Sequence, residues 1–174
     1  MPQSTVATSP RRFAALDTQF LLELENGNDQ CTESIDILRK LGFYFIVTAT
    51  ALQEIEDIST EDADAQVAAH ARNTLRSITN WGFIDPPLSP VLNGVAEIVG
   101  TRLIERKILP SELKNDGMII AEAACHNCQI FLTPRKQLWE AKFDSLRLAL
   151  IECDVAGLVV VSPAELIAYF RKVI

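Results

Sequence analysis

Short apolar runs rich in β-forming residues alternate along this sequence with longer segments of helical periodicity. The runs lie at residues 13–16, 43–47, 129–132 and 157–161, with a weaker one at 82–84. Several of them are apolar throughout, which is typical of parallel strands in a sheet whose two faces are both covered by helices. The alternation therefore predicts an α/β fold built from βαβ units around a parallel sheet.

The segments between these runs have the spacing of amphipathic helices, with one stripe expected to face the core in each. The two clearest stripes are Cys31, Ile35, Leu38 and Leu41, followed by Val67, Ala71, Leu75 and Ile78. Three prolines within residues 85–90 exclude regular structure there, and a helix is expected from about residue 91 to 107. A further helix begins near Asn115, and a last large helical segment is predicted over residues 137–153.

The chain is long enough for one domain. Its 174 residues are 48% apolar, so it can bury a core without metal or disulfide staples. Residues 1–12, rich in Ser, Thr and Pro, are expected to form a flexible leader before a single domain at residues 13–174. The longest uncharged stretch, residues 41–53, has 13 residues, against the ~20 needed to cross a bilayer. We therefore expect no membrane span and no membrane partner.

The cysteine spacing and the lack of nucleotide-binding motifs argue against several kinds of chemistry. The four cysteines show no framework spacing, which favours reduced, buried thiols and a cytoplasmic location. Cys125 and Cys128 form a C-x-x-C, but a second pair for zinc is absent and the motif ends a predicted helix instead of opening one. The sequence also has no Walker loop and no G-x-G-x-x-G, so the common kinds of nucleotide binding are unsupported.

Three acidic residues occupy informative places relative to the predicted elements. Asp17 closes the first strand, Glu54 lies roughly two turns into the helix after the second strand, and Asp116 opens a later helix. The carboxyl ends of parallel strands are where ligands bind in open α/β sheets. Each acid also has a purely structural explanation, namely a helix cap for Asp17, a solvated helix position for Glu54 and a helix-dipole contact for Asp116.

Taken together, these acids suggest a cation site. Carboxylates that converge at one sheet edge repel one another unless a cation neutralises them. Oxygen-rich acidic sites select Mg²⁺ or Mn²⁺, with water completing the coordination. The net charge of −7 does not by itself indicate a nucleic-acid binder, but bound divalent ions would offset part of it.

In their order and local context, five segments resemble the PIN-domain ribonuclease family. They are residues 16–22, with Gln19 where Asn is usual, then 50–55, 116–124, 128–133 and 159–166. The resemblance spans nearly the whole chain after the leader. It implies a three-layer α/β/α sandwich with a central, mostly parallel sheet.

The family resemblance implies metal-dependent hydrolysis of single-stranded RNA, with Asp17, Glu54 and Asp116 holding Mg²⁺ or Mn²⁺. Two threonines, Thr18 and Thr133, would orient the carboxylates or hold water around the metal. The family includes toxin halves of toxin–antitoxin pairs, so a cognate antitoxin is an expected partner. Many family members also form homodimers, although no stripe in this sequence demonstrates one.

One position departs from the family pattern. Family members usually have an acid shortly after the threonine of this strand, whereas Thr133 is followed by Pro134, Arg135 and Lys136. Arg135 and Lys136 are candidates for contacting an RNA phosphate, or they serve solubility alone. A fourth ligand would then come from Glu140 or Asp144 in the following helix, whose alternative role is a solvated stripe paired with Arg147.

Three interpretations therefore stay open from the sequence. The first is an active metal-dependent endoribonuclease that works with three acids or recruits a fourth. The second is a catalytically degenerate PIN-like domain that binds RNA or protein. The third is a plain α/β interaction protein whose three acids are structural caps.

Overall fold

The computed structural model describes residues 11–61, 64–140 and 143–172. Most of the predicted leader, residues 1–10, lies outside these ranges. The first strand begins at Arg12, one residue before the apolar run predicted at residues 13–16. Across the described ranges, no helix is long and apolar enough to cross a membrane.

The described residues contain one parallel sheet of four strands, in agreement with the sequence. The strands are β1 (Arg12–Leu16), β2 (Phe43–Ile46), β3 (Ile130–Leu132) and β4 (Val159–Val161). They are arranged in the order β2-β1-β3-β4. The weaker run at residues 82–84 contributes only a single parallel bridge, from Ile84 to Ile46 at the edge of the sheet.

Burial of the central strand shows how the layers are arranged. Ala14, Ala15 and Leu16 are successive residues of β1, and all three are fully buried. Because successive side chains of a strand point to opposite faces, both faces of the sheet must be covered. The predicted three-layer α/β/α sandwich is confirmed.

Helices supply the two outer layers. They are α1 (Thr18–Glu25), α2 (Asp29–Lys40), α3 (Ala49–Glu61), α4 (Ala65–Asn80), α5 (Pro90–Glu105), α6 (Lys114–Cys125), α7 (Lys136–Trp139), α8 (Phe143–Ile151) and α9 (Pro163–Arg171). Several begin at side chains that cap free backbone N–H groups. Asn28 accepts from two such groups at the start of α2, and Ser162 forms a capping box with Glu165 at the start of α9.

The prediction of one large helix over residues 137–153 is wrong. Helix α7 ends at Trp139 and α8 begins only at Phe143, with residues 141–142 outside the described ranges. Leu146 and Leu150 of the predicted seam are buried as expected. Apolar spacing identifies the face that a segment turns to the core, but tertiary packing decides whether the helix is continuous. Here α7 and α8 both pack against β4, and α8 also packs against α5.

The ends of two predicted core stripes also differ from the structure. Leu41 and Val67 are exposed. In α4 the buried stripe runs through Ala68 and Thr74 instead. Thr74 can replace an apolar residue there because its Oγ1 donates to the carbonyl of His70 at 3.0 Å, which satisfies the buried hydroxyl.

The strand order creates a binding crevice at a defined place. From β1 the chain passes to β2 on one side and later to β3 on the other side, so the order reverses between β1 and β3. Because all the described strand pairs are parallel, their carboxyl ends lie at one edge of the sheet. In open α/β sheets the crevice at such a reversal is the usual ligand site.

Candidate active site

Asp17 lies directly at this reversal. It follows the last residue of β1, and its backbone N–H donates to the carbonyl of Leu132 at the end of β3, at 3.0 Å. Its side chain is completely buried, and Oδ2 accepts a hydrogen bond from Thr133 Oγ1 at 2.8 Å. The other oxygen, Oδ1, is buried and has no hydrogen-bond partner within the described residues.

Thr133 connects Asp17 to the segment after β3. Its hydroxyl accepts from the backbone N–H of Arg135 at 3.0 Å. A hydroxyl has one proton to donate, and Thr133 directs it at Asp17. The threonine therefore fixes both the orientation of the Asp17 carboxylate and the path of the chain into α7.

Asp116 forms an ion pair with Arg135. It lies in the first turn of α6 and is almost completely buried, a position where the helix dipole favours negative charge. Arg135 Nη1 lies 2.5 Å from Asp116 Oδ1. The acid is thus neutralised by a cation of the same chain.

Glu54 reaches the site from α3 and is half-buried. Its Oε2 accepts a hydrogen bond of 2.5 Å from Thr18 Oγ1. Thr18 is the first residue of α1 and follows Asp17 in the chain. The second predicted acid is therefore tied to the residue next to the first.

Electrostatic interactions among these groups show that the three acids share one environment. Burial raises the pKa of Asp17 to about 7, although the hydrogen bond from Thr133 lowers it. The charges of Asp116 and Glu54 raise the pKa of Asp17 as well, and that of Arg135 lowers it. Burial is also the main cause of the raised pKa of Asp116, which Arg135 lowers and Glu54 raises.

Glu122 is a buried acid whose role the sequence analysis missed. Its Oε1 accepts from Thr50 Oγ1 at 2.8 Å, and its Oε2 accepts from the Thr50 backbone N–H at 3.0 Å. Thr50 lies in the first turn of α3, one turn before Glu54, while Glu122 belongs to the same helix as Asp116. Glu122 therefore joins the two helices that carry these acids. The available signal was an acid inside an apolar helical stretch, which requires a polar partner.

Glu140 and Asp144, the two candidates for a fourth ligand, are exposed. Glu140 Oε1 lies 3.4 Å from Lys136 Nζ, so the ion pair of Glu140 is with Lys136 and not with Arg147. Neither acid is among the charges that shift the pKa values of Asp17 and Asp116. The structure brings together Asp17, Glu54 and Asp116 without either of them.

The carboxylates of the site are ligands of the kind that a divalent cation requires, but Arg135 already neutralises Asp116. Carboxylate oxygens are ligands that Mg²⁺ and Mn²⁺ prefer, and Oδ1 of Asp17 is a buried oxygen without a donor in the described residues. However, no three His, Cys, Asp or Glu side chains of the described ranges are already grouped to hold a metal ion. A metal that binds Asp116 must therefore compete with Arg135.

All four cysteines are free thiols in the structure. Burial raises the pKa values of Cys31 and Cys128 to about 12, and it is the main cause of the raised pKa of Cys125. Thiols with raised pKa values are poor nucleophiles and poor metal ligands at neutral pH.

Two solved structures are similar to this chain in fold. A chain of VapBC2 from Rickettsia felis, crystallised with a DNA fragment from the promoter, matches with a TM-score of 0.61 and 14% identity, over 86% of this chain and 98% of that chain. A chain of FitAcB from Neisseria gonorrhoeae matches with a TM-score of 0.55 and 17% identity, over 86% and 97%. No protein-family model and no curated protein matches the sequence.

Proposed function

Since the chain has a PIN-like fold, we propose that it is a divalent-metal-dependent endoribonuclease that hydrolyses single-stranded RNA at the acidic site between β1 and β3. The observation that carries this proposal is Asp17. It is a completely buried carboxylate, one of whose oxygens has no hydrogen-bond partner among the residues that the structure describes, and the charges of two further acids act on it.

Such an arrangement is unfavourable unless something compensates it. Burying a polar atom without a partner costs roughly 1–3 kcal/mol, and the neighbouring acids raise the cost of ionising Asp17. A purely structural cap would accept a backbone N–H of the next helix, but the Asp17 side chain makes no such bond at the start of α1. A bound cation would satisfy the free oxygen and reduce the repulsion at the same time.

Asp17, Glu54 and Asp116 are the residues that would hold Mg²⁺ or Mn²⁺. The bound metal would activate a water molecule and stabilise negative charge on the attacked phosphate. The protein orients the metal ligands through hydrogen bonds: the Thr133 hydroxyl donates to Asp17, and the Thr18 hydroxyl donates to Glu54. Glu122 acts through Thr50 as a positioning residue for α3.

The family resemblance extends the proposal to a biological role. We assign the chain to the toxin half of a toxin–antitoxin pair, with a cognate antitoxin protein as its partner. Expression of the chain alone is then expected to arrest the growth of a bacterial host. Expression of the Asp17→Asn variant is expected to leave growth unaffected. Growth that is equally unaffected by both would remove the toxin assignment without bearing on the nuclease.

A second candidate function is favoured by the Arg135–Asp116 ion pair. A site whose third acid is permanently paired with an arginine would bind RNA without cleaving it. Such a domain would keep RNA affinity in EDTA and would show no turnover with either metal.

The deciding experiment is cleavage of a fluorescent single-stranded RNA in EDTA, Mg²⁺ and Mn²⁺. We expect metal-dependent cleavage by the wild type, and loss of at least about 100-fold in Asp17→Asn, since metal catalysis contributes several kcal/mol. Asp36→Asn is the matched control because Asp36 is an exposed acid on α2. Cleavage that persists in Asp17→Asn, or that proceeds in EDTA, would refute the site assignment.

A further inference from the structure

Arg135 spans the boundary between the buried site and solvent. Its side chain is 37% exposed, whereas the side chain of its partner Asp116 is 4% exposed. Within the described residues, Asp116 Oδ1 is the acceptor of its guanidinium. The remaining N–H groups of a guanidinium are arranged in a planar fork that matches the oxygens of a phosphate.

The backbone of Arg135 is held while its side chain reaches into the site. The backbone N–H donates to Thr133 Oγ1 at 3.0 Å, and the residue lies in extended conformation directly before α7. A long side chain on an anchored backbone can exchange one anionic partner for another by rotation about its own bonds. Such an exchange requires no movement of the sheet.

A divalent cation and the guanidinium compete for the same carboxylate. Both are positive, and both would neutralise Asp116, so a metal at Asp116 removes the attraction that holds Arg135 there and adds repulsion. The released guanidinium then faces solvent beside the site. An RNA phosphodiester carries the charge and the oxygens that the fork requires.

We propose that Arg135 is an exchangeable counter-ion, which neutralises Asp116 in the metal-free protein and binds a phosphate of single-stranded RNA once a divalent metal has displaced it. The proposal rests on the proposed function and adds a regulatory property to it. Metal favours RNA binding by releasing Arg135, and by thermodynamic reciprocity RNA favours metal binding by the same factor. The free site is thereby protected from binding metal tightly in the absence of substrate.

The alternative is a fixed structural pair that fastens α6 to the segment after β3. The two roles differ in one measurable respect. Removal of an exchangeable counter-ion makes metal binding tighter, because the competitor is lost. Removal of a fixed structural pair destabilises the site and leaves metal binding unchanged or weaker.

The test is Mn²⁺ binding by isothermal titration calorimetry on the full chain, with and without a hydrolysis-resistant single-stranded RNA analogue that keeps its phosphate charges. The variants are Arg135→Gln and, as a matched control, Lys136→Gln. Lys136 is the next residue, equally cationic and paired with Glu140 instead of Asp116. Thermal unfolding in EDTA establishes that each variant is folded. Arg135→Lys keeps the positive charge but not the planar fork, and it replaces Arg135→Gln in the test if Arg135→Gln does not fold.

We expect Arg135→Gln to bind Mn²⁺ about tenfold more tightly than wild type in the absence of RNA, which corresponds to about 1.4 kcal/mol. The RNA analogue should tighten Mn²⁺ binding about tenfold in wild type and less than twofold in Arg135→Gln. Arg135→Lys should lie between the two. Lys136→Gln should change the Mn²⁺ affinity measured without RNA by less than twofold, since exposed ion pairs contribute little.

Unchanged or weaker Mn²⁺ binding by Arg135→Gln would overturn the proposal, and so would equal tightening in Lys136→Gln, which would indicate a general charge effect. The proposed nuclease would survive either result if the wild type cleaves RNA. Mn²⁺ binding by Arg135→Gln alone, with none by wild type, would support the counter-ion and remove the nuclease. Absence of Mn²⁺ binding in all the variants would remove both.

Discussion

Thr133 Oγ1 donates a hydrogen bond of 2.8 Å to Asp17 Oδ2, joining residues 116 positions apart across the ends of β3 and β1. Because the same hydroxyl accepts from the backbone of Arg135, one side chain links the buried acid to the cation that neutralises Asp116. The acidic site is therefore one connected structure, in which changes at Thr133 affect both acids.

Thr133→Val is expected to weaken metal binding severalfold and to destabilise the protein by about 1–2 kcal/mol, because the substitution leaves a buried carboxylate without its donor. Mn²⁺ titration and chemical unfolding measure the two effects. Thr74→Val is the control, since Thr74 is a buried threonine bonded within α4. Its stability loss should come without any change in Mn²⁺ affinity.

The metal-free protein should lose stability as pH rises from about 4 to about 7. Asp17 has a pKa raised from 3.8 to about 7 by burial, so in this window the folded state binds more protons than the unfolded state. Its stabilising contribution is complete below pH 4 and is lost above pH 7. Unfolding temperatures measured in EDTA across this range test the slope.

Asp17→Asn is the internal control for this pH dependence, because asparagine is neutral throughout. The variant should lack the Asp17 contribution and exceed the wild type in stability at pH 8 in EDTA, by on the order of 2 kcal/mol. A wild type whose pH profile coincides with that of the variant would contradict the prediction.

Saturating Mn²⁺ should stabilise the wild type, by about 2.7 kcal/mol at a free concentration 100 times the dissociation constant. For a chain of this size, that corresponds to an increase in Tm of roughly 5–11 °C. Asp116→Asn should abolish most of this increase because it removes a proposed ligand. An equal increase in Asp116→Asn would show that the metal binds elsewhere.

Glu122→Gln should lower stability by about 1–2 kcal/mol and weaken Mn²⁺ binding severalfold. Glutamine has one acceptor oxygen in place of two, so it cannot accept from both Thr50 groups that the carboxylate binds. Denaturant unfolding and Mn²⁺ titration are the measurements. Glu56→Gln, at an exposed position of the same α3 helix, should leave both properties unchanged.

The strands and the approximate place of each acid were determined by the sequence itself. A strand buried on both faces requires a continuous apolar run, as at residues 13–16, and an acid directly after such a run lies at the strand's end whatever the rest of the chain does. Asp17 could therefore be located from the run that precedes it, and Asp116 from the apolar helical stretch that follows it. Local periodicity likewise located helices such as α2 and α4, because burial of one face requires that spacing.

Only the tertiary structure decided which side chains meet. Asp17 meets Thr133, Thr50 meets Glu122 and Asp116 meets Arg135 across separations of 116, 72 and 19 residues. Nothing in the sequence near either member of these pairs specifies the other. The break between α7 and α8 is likewise absent from the local pattern, since the apolar spacing continues from Trp139 to Leu150. Spacing along the chain encodes local geometry, whereas the pairing of buried charges depends on how strands and helices from distant segments converge at one edge of the sheet.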